Sequence, residues 1–172
     1  WFSSHNINLE IINVGGGLGI DYSEPDKPAK FEEYFSLLNE FVRLRPGQRL
    51  HIEPGRSIVG QCGSLISRVL FIKKGSNTTF AIIDAGMTDL IRPALYQAVH
   101  KIENLTSDGI KGRYDVVGPV CESADTFAKL IELPETRRGD LIAIRSAGAY
   151  GESMASRYNL RDLPGSLFQD EL

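Results

Sequence analysis

Residues 64–84 read SLISRVLFIKKGSNTTFAIID and contain the pattern that decides the fold. The stretches from Ser64 to Lys73 and from Thr78 to Asp84 are rich in apolar and β-branched residues, and each has the length of a strand. The four residues between them, Lys74-Gly75-Ser76-Asn77, are typical of a turn. The pattern therefore predicts a β-hairpin.

Two further strands are predicted on the C-terminal side of this hairpin, at Arg113 to Val117 and at Asp140 to Arg145. The segments between the predicted strands contain turn residues. We therefore predict a small antiparallel β domain over residues 59–172.

The N-terminal side has a different character. Leu9 to Val14 predicts a strand, and from Phe31 to Leu44 the apolar residues recur at helical spacing. Pro46-Gly47 would stop this helix, and Leu50 to Glu53 predicts a second strand. A strand–helix–strand order is typical of an α/β unit with a parallel strand pair. We place the domain boundary near residues 57–62 and assign residues 1–58 to the first domain.

Composition narrows the class of protein. The 172 residues are 42% hydrophobic and have a formal net charge of -3 with no basic block, which argues against a nucleic-acid partner. No apolar run approaches the ~20 residues that span a bilayer, and no secretory signal is recognisable. Two cysteines are too few for a disulfide framework and lack metal-ligand spacing, so a cytoplasmic protein without a metal site is expected. Of the two, we interpret Cys62 as a core residue.

Two motifs follow the strands of the α/β unit. Gly15-Gly16-Gly17-Leu18-Gly19 comes after the first strand, where glycines let backbone N–H groups approach a phosphate, although a tight turn needs the same residues. Glu53-Pro54-Gly55-Arg56 comes after the second strand. Its carboxylate and guanidinium either face a ligand or form a surface ion pair.

Three motifs lie in the β domain. Arg92 and Tyr96 would share a face of a helical turn, either to bind an anion or as a snorkelling Arg beside a packed Tyr. Cys121-Glu122 follows a strand and a Pro turn. The thiol is either a general acid or a small buried apolar group. Tyr150, flanked by small residues, suits either a ligand site or a structural turn.

The order of these motifs is more specific than any one of them. GGGLG, EPGRSIV, DAGMTDLIRPALY, VVGPVCES and SAGAYG together resemble the C-terminal half of the diaminopimelate decarboxylases, over residues 10 to 160. This family is grouped with the ornithine and arginine decarboxylases. The resemblance implies the end of a (β/α)8 barrel of alanine-racemase type, followed by an antiparallel Greek-key β-barrel domain.

The resemblance also implies a cofactor, pyridoxal 5'-phosphate, and a role for each motif. Cofactor-binding roles fall on Gly15, Gly16, Gly17, Glu53, Pro54, Gly55, Arg56 and Tyr150. Substrate-binding roles fall on Arg56, Arg92, Tyr96, Glu122 and Tyr150. Cys121 would be the catalytic proton donor, and in the family it enters the site with Glu122 from the partner subunit of a homodimer.

The implied activity is decarboxylation of meso-2,6-diaminopimelate to L-lysine, the last step of lysine biosynthesis. Two Arg and a Glu suit the distal carboxylate and ammonium of that substrate. The family's Schiff-base lysine belongs to the N-terminal half, and no lysine here lies in a matching motif, so we expect a C-terminal fragment that is inactive alone. The alternatives are a related decarboxylase acting on carboxynorspermidine or arginine, and a non-catalytic regulatory homologue.

Overall fold

The computed structural model describes residues 2–169. Its N-terminal part contains strands β1 (Ile11–Asn13) and β2 (Arg49–His51) and helix α1 (Phe31–Phe41). The two strands pair in parallel with Ile11 opposite Arg49, which confirms the predicted parallel pair. Helix α1 ends before the predicted Leu44, because Val42 has an extended backbone.

The remaining elements form a second part around one sheet. They are α2 (Arg56–Val59), β3 (Leu65–Lys74), β4 (Thr79–Ile83), α3 (Arg92–Tyr96), β5 (Ile102–Asn104), β6 (Lys111–Val117), β7 (Thr126–Pro134) and β8 (Leu141–Ile144). Six strands lie side by side in the order β5-β8-β3-β4-β6-β7. Strands β3 and β4 are antiparallel and confirm the predicted hairpin.

The sheet is mixed, so the prediction of an antiparallel Greek-key barrel is wrong in this respect. Strands β4 and β6 pair in parallel, with Thr79 opposite Tyr114. The connection from residue 84 to residue 110 is long enough for the crossover that a parallel pair requires. The edge strands β5 and β7 approach each other, where the side chain of Asn104 donates to Thr136 Oγ1 at 3.1 Å. The sheet is therefore nearly closed.

Strands β5 and β7 were not predicted. The alternation of β7 breaks at Leu130, which has a positive φ of 54° and is exposed. Its N–H donates at 2.7 Å to the side-chain Oδ1 of Asp115 on the neighbouring strand β6, and not to a backbone carbonyl. A strand with such an irregularity lacks the period-two pattern that marks a strand in sequence.

The core lies on the inner face of the sheet. Its most deeply buried members come from β3, β4, β6, β8 and β7: Val69, Ala81, Ile83, Val116, Ile142, Ile144 and Leu133. In contrast, no residue of α1 is buried, and Phe41 is 74% exposed. Part of the apolar surface of α1 is thus exposed within the described residues.

Polar contacts attach the N-terminal part to the second part. The Gln61 side chain donates to the carbonyls of Pro25 and Lys27. The guanidinium of Arg145 pairs with Asp26, and the N–H of Lys101 donates to the carbonyl of Tyr22. The segment that follows the glycine motif is therefore held against the end of β8.

The predicted domain boundary, between residues 58 and 59, falls inside α2 and stays a prediction. Residues 170–172 of the second predicted domain lie outside the described residues. Within the described part of the chain, no helix is long and apolar enough to cross a membrane.

Candidate active site

The glycine motif and Glu53 meet at the carboxyl ends of the two parallel strands. The Glu53 N–H donates to the carbonyl of Gly15 at 2.7 Å. Asn13 joins both segments: its amide donates to Glu53 Oε1 at 2.7 Å, and its side-chain oxygen accepts the N–H of Gly15 at 2.8 Å. Asn13, which the sequence reading missed, therefore orients the Glu53 carboxylate relative to the loop.

Glycine is needed in this loop for both conformation and space. Gly15 and Gly17 have positive φ values of 71° and 101°, which other residues rarely adopt. A Cβ on Gly16 would collide with the carbonyl oxygen of Glu53. Among the described residues, the N–H groups of Gly16 and Gly17 donate to no other group, and the hydroxyl of Tyr34 holds the Gly16 carbonyl at 2.9 Å. The loop therefore presents free N–H donors, as an anion site requires.

A cavity of about 510 Å³ lies between α2, α3 and the loop after β8. Four residues predicted from sequence line it, namely Arg56, Arg92, Tyr96 and Tyr150. They come from the start of α2, from both ends of α3 and from the loop after β8. The structure thus brings together three motifs that are far apart in the chain.

Close packing around Gly148 places Tyr150 in this cavity. The N–H groups of Ala147 and Gly148 donate to the carbonyls of Gly63 and Gly60. A Cβ on Gly148 would collide with the carbonyl oxygen of Val59, so only glycine allows this approach. The loop after β8 consequently lies along the end of α2. The Tyr150 hydroxyl is close to Gly55, because a Cβ added to Gly55 would lie 3.3 Å from it.

The two guanidinium groups of the cavity lack counter-charges. Arg92 is only 5% exposed, and its Nε has no hydrogen-bond partner. Among the described residues, no carboxylate lies within ion-pair distance of Arg56 or Arg92, so the surface ion pair considered for Glu53 and Arg56 is not formed. A buried cation without a partner is costly, which indicates an anionic ligand.

Two residues of this region were missed from sequence. Tyr22 lines the cavity, and its ring centroid lies 5.5 Å from Arg92 Cζ and 6.0 Å from Arg56 Cζ. His100 packs edge-on against Tyr22 with ring centroids 4.7 Å apart. Neither residue belongs to a motif with a chemical signature. Their positions follow from tertiary contacts alone.

Cys121 and Glu122 are exposed on the loop between β6 and β7, and neither lines the cavity. Exposure excludes the alternative of Cys121 as a small buried apolar group. Cys62 is also exposed, and its thiol donates to the Val59 carbonyl, so its assignment to the core is wrong. The reason is that Cys62 lies on the turn that follows α2, outside the sheet.

Asp125 fixes the conformation of the loop that contains Cys121. Its buried carboxylate accepts the N–H of Val120 at 2.7 Å and the N–H of Met87 at 2.6 Å. Burial raises the pKa of Asp125, whereas these two N–H donors lower it. One side chain thus connects the Cys121 loop to the segment that leads into α3.

The chain matches a known family over most of its length. Residues 12–148 match the model described as "Pyridoxal-dependent decarboxylase, C-terminal sheet domain". This range includes the glycine loop, the cavity residues other than Tyr150 and Met154, and the Cys121 loop.

Individual relatives agree with this match. The chain is 60% identical to diaminopimelate decarboxylase of Bacteroides thetaiotaomicron, over 98% of this chain and 44% of the relative. The solved diaminopimelate decarboxylase of Helicobacter pylori in complex with L-lysine is 45% identical, with a TM-score of 0.79 over 92% of this chain and 39% of that one. A lysine/ornithine decarboxylase from Vibrio vulnificus, 21% identical with a TM-score of 0.85 over 99% of this chain and 47% of that one, shares the fold. The chain therefore spans less than half the length of the relatives it matches.

Proposed function

Because this chain belongs to the pyridoxal-dependent decarboxylases, we propose that it is the C-terminal portion of an enzyme converting meso-2,6-diaminopimelate to L-lysine and carbon dioxide. One observation supports this substrate: the guanidinium groups of Arg56 and Arg92 face the same cavity and have no counter-charges. Diaminopimelate has a second carboxylate at its far end, whereas ornithine has none. Two Arg with Tyr96 and Tyr150 suit that carboxylate.

The glycine loop and Glu53 fit pyridoxal 5'-phosphate. The free N–H groups of Gly16 and Gly17, with the Tyr150 hydroxyl near Gly55, would hold its phosphate. The Glu53 carboxylate, which Asn13 orients, would pair with the pyridine nitrogen. When bound, the cofactor supplies an electron sink for the pair left at the α-carbon as carbon dioxide departs.

The residues of this chain would perform the other tasks of the reaction. Arg56, Arg92 and Tyr96 would bind the distal carboxylate and orient the substrate. Glu122 would pair with the distal ammonium. Cys121 would then donate a proton from Sγ to the α-carbon, as a positioned general acid.

We propose a cytoplasmic homodimer with shared sites. Cys121 and Glu122 are exposed on a loop of fixed shape and do not reach the cavity of their own chain. A second copy placed with two-fold symmetry could supply them to the cavity. Both cysteines are free, as in a reducing compartment.

We also propose that β1, α1 and β2 are the last part of a (β/α)8 barrel of alanine-racemase type. Two parallel strands alone do not make a stable sheet. The apolar surface of Ile11, Leu37 and Phe41 is exposed, which suits burial against barrel elements outside this chain.

The 172-residue chain alone is expected to show no decarboxylase activity. The cofactor needs a lysine beside its ring, and among the described residues no lysine lines the cavity. Lys73, Lys74, Lys111 and Lys129 are exposed, and Lys101 pairs with Glu103. The test compares this chain with the longer protein that contains it, each supplied with pyridoxal phosphate and meso-diaminopimelate.

The readouts are carbon dioxide release and the visible spectrum before and after borohydride reduction. The longer protein is expected to turn over and to give one reduced lysine adduct, whereas the chain alone gives neither. Turnover with a site-specific adduct in the chain alone would show that it is catalytically complete. Absence of turnover in the longer protein would contradict the proposed function.

A further inference from the structure

Two aromatic rings of the cavity, those of Tyr22 and Tyr150, each have their centroid within 6.0 Å of Cζ of both arginines. Arg56 Cζ and Arg92 Cζ lie 6.0 Å and 5.5 Å from the centroid of the Tyr22 ring, within the range of a cation–π contact. Two guanidinium groups without counter-charges repel each other, and this repulsion is largest before an anion enters. The negative face of a shared ring offsets part of it.

His100 packs against the ring of Tyr22. It is 4% exposed and packs edge-on against Tyr22, with an interplanar angle of 70°. Its Nδ1 lies 2.9 Å from the carbonyl oxygen of Arg145, which accepts only, so Nδ1 carries the hydrogen. The backbone of the next residue, Lys101, also donates to the carbonyl of Tyr22. Tyr22 is thus held both at its backbone carbonyl and at its ring.

His100 adds no third charge to this cluster. Burial lowers its pKa, the hydrogen bond to Arg145 opposes the change, and the charges of Arg92 and Arg56 lower it further. A neutral imidazole is therefore present near pH 7. It supports the ring without increasing the repulsion between the two guanidinium groups.

The hydroxyl of Tyr22 makes no hydrogen bond to either guanidinium group. It is buried and has no hydrogen-bond partner among the described residues. A buried hydroxyl without a partner is unfavourable, so its removal should not weaken the site. The ring, and not the hydroxyl, is the part of Tyr22 that contacts the cations.

We propose that Tyr22, supported by His100, is a positioning residue that holds Arg56 and Arg92 side by side to receive the distal carboxylate of the substrate. This inference rests on the proposed function, since the carboxylate is that of diaminopimelate. It adds a determinant of substrate specificity that acts through the two arginines.

The test uses Tyr22→Phe and Tyr22→Leu in the longer enzyme. Tyr22→Leu removes the ring, and we expect KM for meso-diaminopimelate to rise about tenfold, with kcat within about twofold of wild type. Tyr22→Phe keeps the ring and should behave like wild type. Binding of pimelate, a dicarboxylate without amino groups, is measured by calorimetry. Its affinity should fall about tenfold in Tyr22→Leu and should not change in Tyr22→Phe. Tyr158→Leu is the control, because Tyr158 is half exposed and does not line the cavity.

Two results would overturn the inference: equal losses in Tyr22→Phe and Tyr22→Leu, or no loss of pimelate binding in Tyr22→Leu. Thermal unfolding of each variant is recorded, and Tyr22→Met replaces Tyr22→Leu if the latter does not fold. Failure of the proposed function is distinguishable, because the wild-type enzyme would then not decarboxylate diaminopimelate at all. The pimelate measurement still tests the role of the ring in that case.

Discussion

Replacing Cys121 by alanine in the longer enzyme is expected to lower kcat by about 10²–10⁴-fold, the usual loss when a general acid is removed. The reason is that the α-carbon must regain a proton after carbon dioxide leaves, and the Cys121 thiol is exposed on a loop of fixed shape. Cofactor binding, followed by its visible absorbance, should be nearly unchanged, since the proposed cofactor ligands are the glycine loop, Glu53 and Tyr150 and do not include Cys121. Steady-state kinetics with meso-diaminopimelate provide the measurement.

Cys62→Ala is the matched control for this prediction. Cys62 is also an exposed free thiol, but it lies on the turn after α2 and bonds to the Val59 carbonyl. Its replacement should change kcat only slightly. Similar losses in the two variants would mean that Cys121 has no special role.

Replacing Arg92 by methionine is expected to lower kcat/KM for meso-diaminopimelate by about 30- to 4,000-fold. Truncating one partner of a buried charge pair costs ~2–5 kcal/mol. The enzyme should still fold, because a buried guanidinium without a counter-charge destabilises the ligand-free protein and an apolar side chain of similar length removes that cost. The thermal unfolding temperature should therefore stay the same or rise.

Arg138→Met is the control for loss of a positive charge. Arg138 lies outside the cavity lining, with its guanidinium 5.2 Å from the ring of Phe71. Its removal should leave kcat/KM unchanged. An Arg92→Met enzyme that keeps its kcat/KM for meso-diaminopimelate would contradict the assignment of the anion site.

Cys121→Ala and Arg92→Met together test whether each active site contains residues of both subunits. If Cys121 serves the cavity of the partner copy, mixing Cys121→Ala with Arg92→Met subunits creates one intact site in each mixed dimer. Random mixing of subunits in a two-fold dimer should then restore about a quarter of wild-type activity. If each chain supplied its own Cys121, both sites of every mixed dimer would be defective and mixing would restore nothing.

The sequence predicts the regular parts of this fold and misses the irregular ones. The β3–β4 hairpin and the β1–β2 pair follow from apolar patterns bounded by turn residues. Strand β7 escapes prediction because Leu130 adopts a positive φ and breaks the alternation. The parallel pairing of β4 with β6 also escapes, because strand direction depends on the path of a long connection and not on local pattern.

The candidate site shows the same division. Arg92 and Tyr96 fall on one helical turn, so their shared position was predictable from spacing. That Arg92 is buried without a counter-charge, and is not a snorkelling side chain, is visible only in the folded chain. Tyr22 and His100 approach each other across a long sequence separation, and no motif marks either one. Proximity of Tyr22 to the glycine loop, at the end of a predicted strand, is the one signal that could have suggested it.

The most direct test of the central claim is a comparison of kcat/KM for meso-diaminopimelate, ornithine and arginine in the longer enzyme. Two arginines without counter-charges face the cavity, so a substrate with a distal carboxylate is stabilised, whereas one with a distal cation and no distal carboxylate is repelled. We predict a strong preference for meso-diaminopimelate, on the order of 10²-fold or more, since charge pairs in such a site contribute a few kcal/mol. Turnover of ornithine or arginine that equals or exceeds that of meso-diaminopimelate would contradict the assignment.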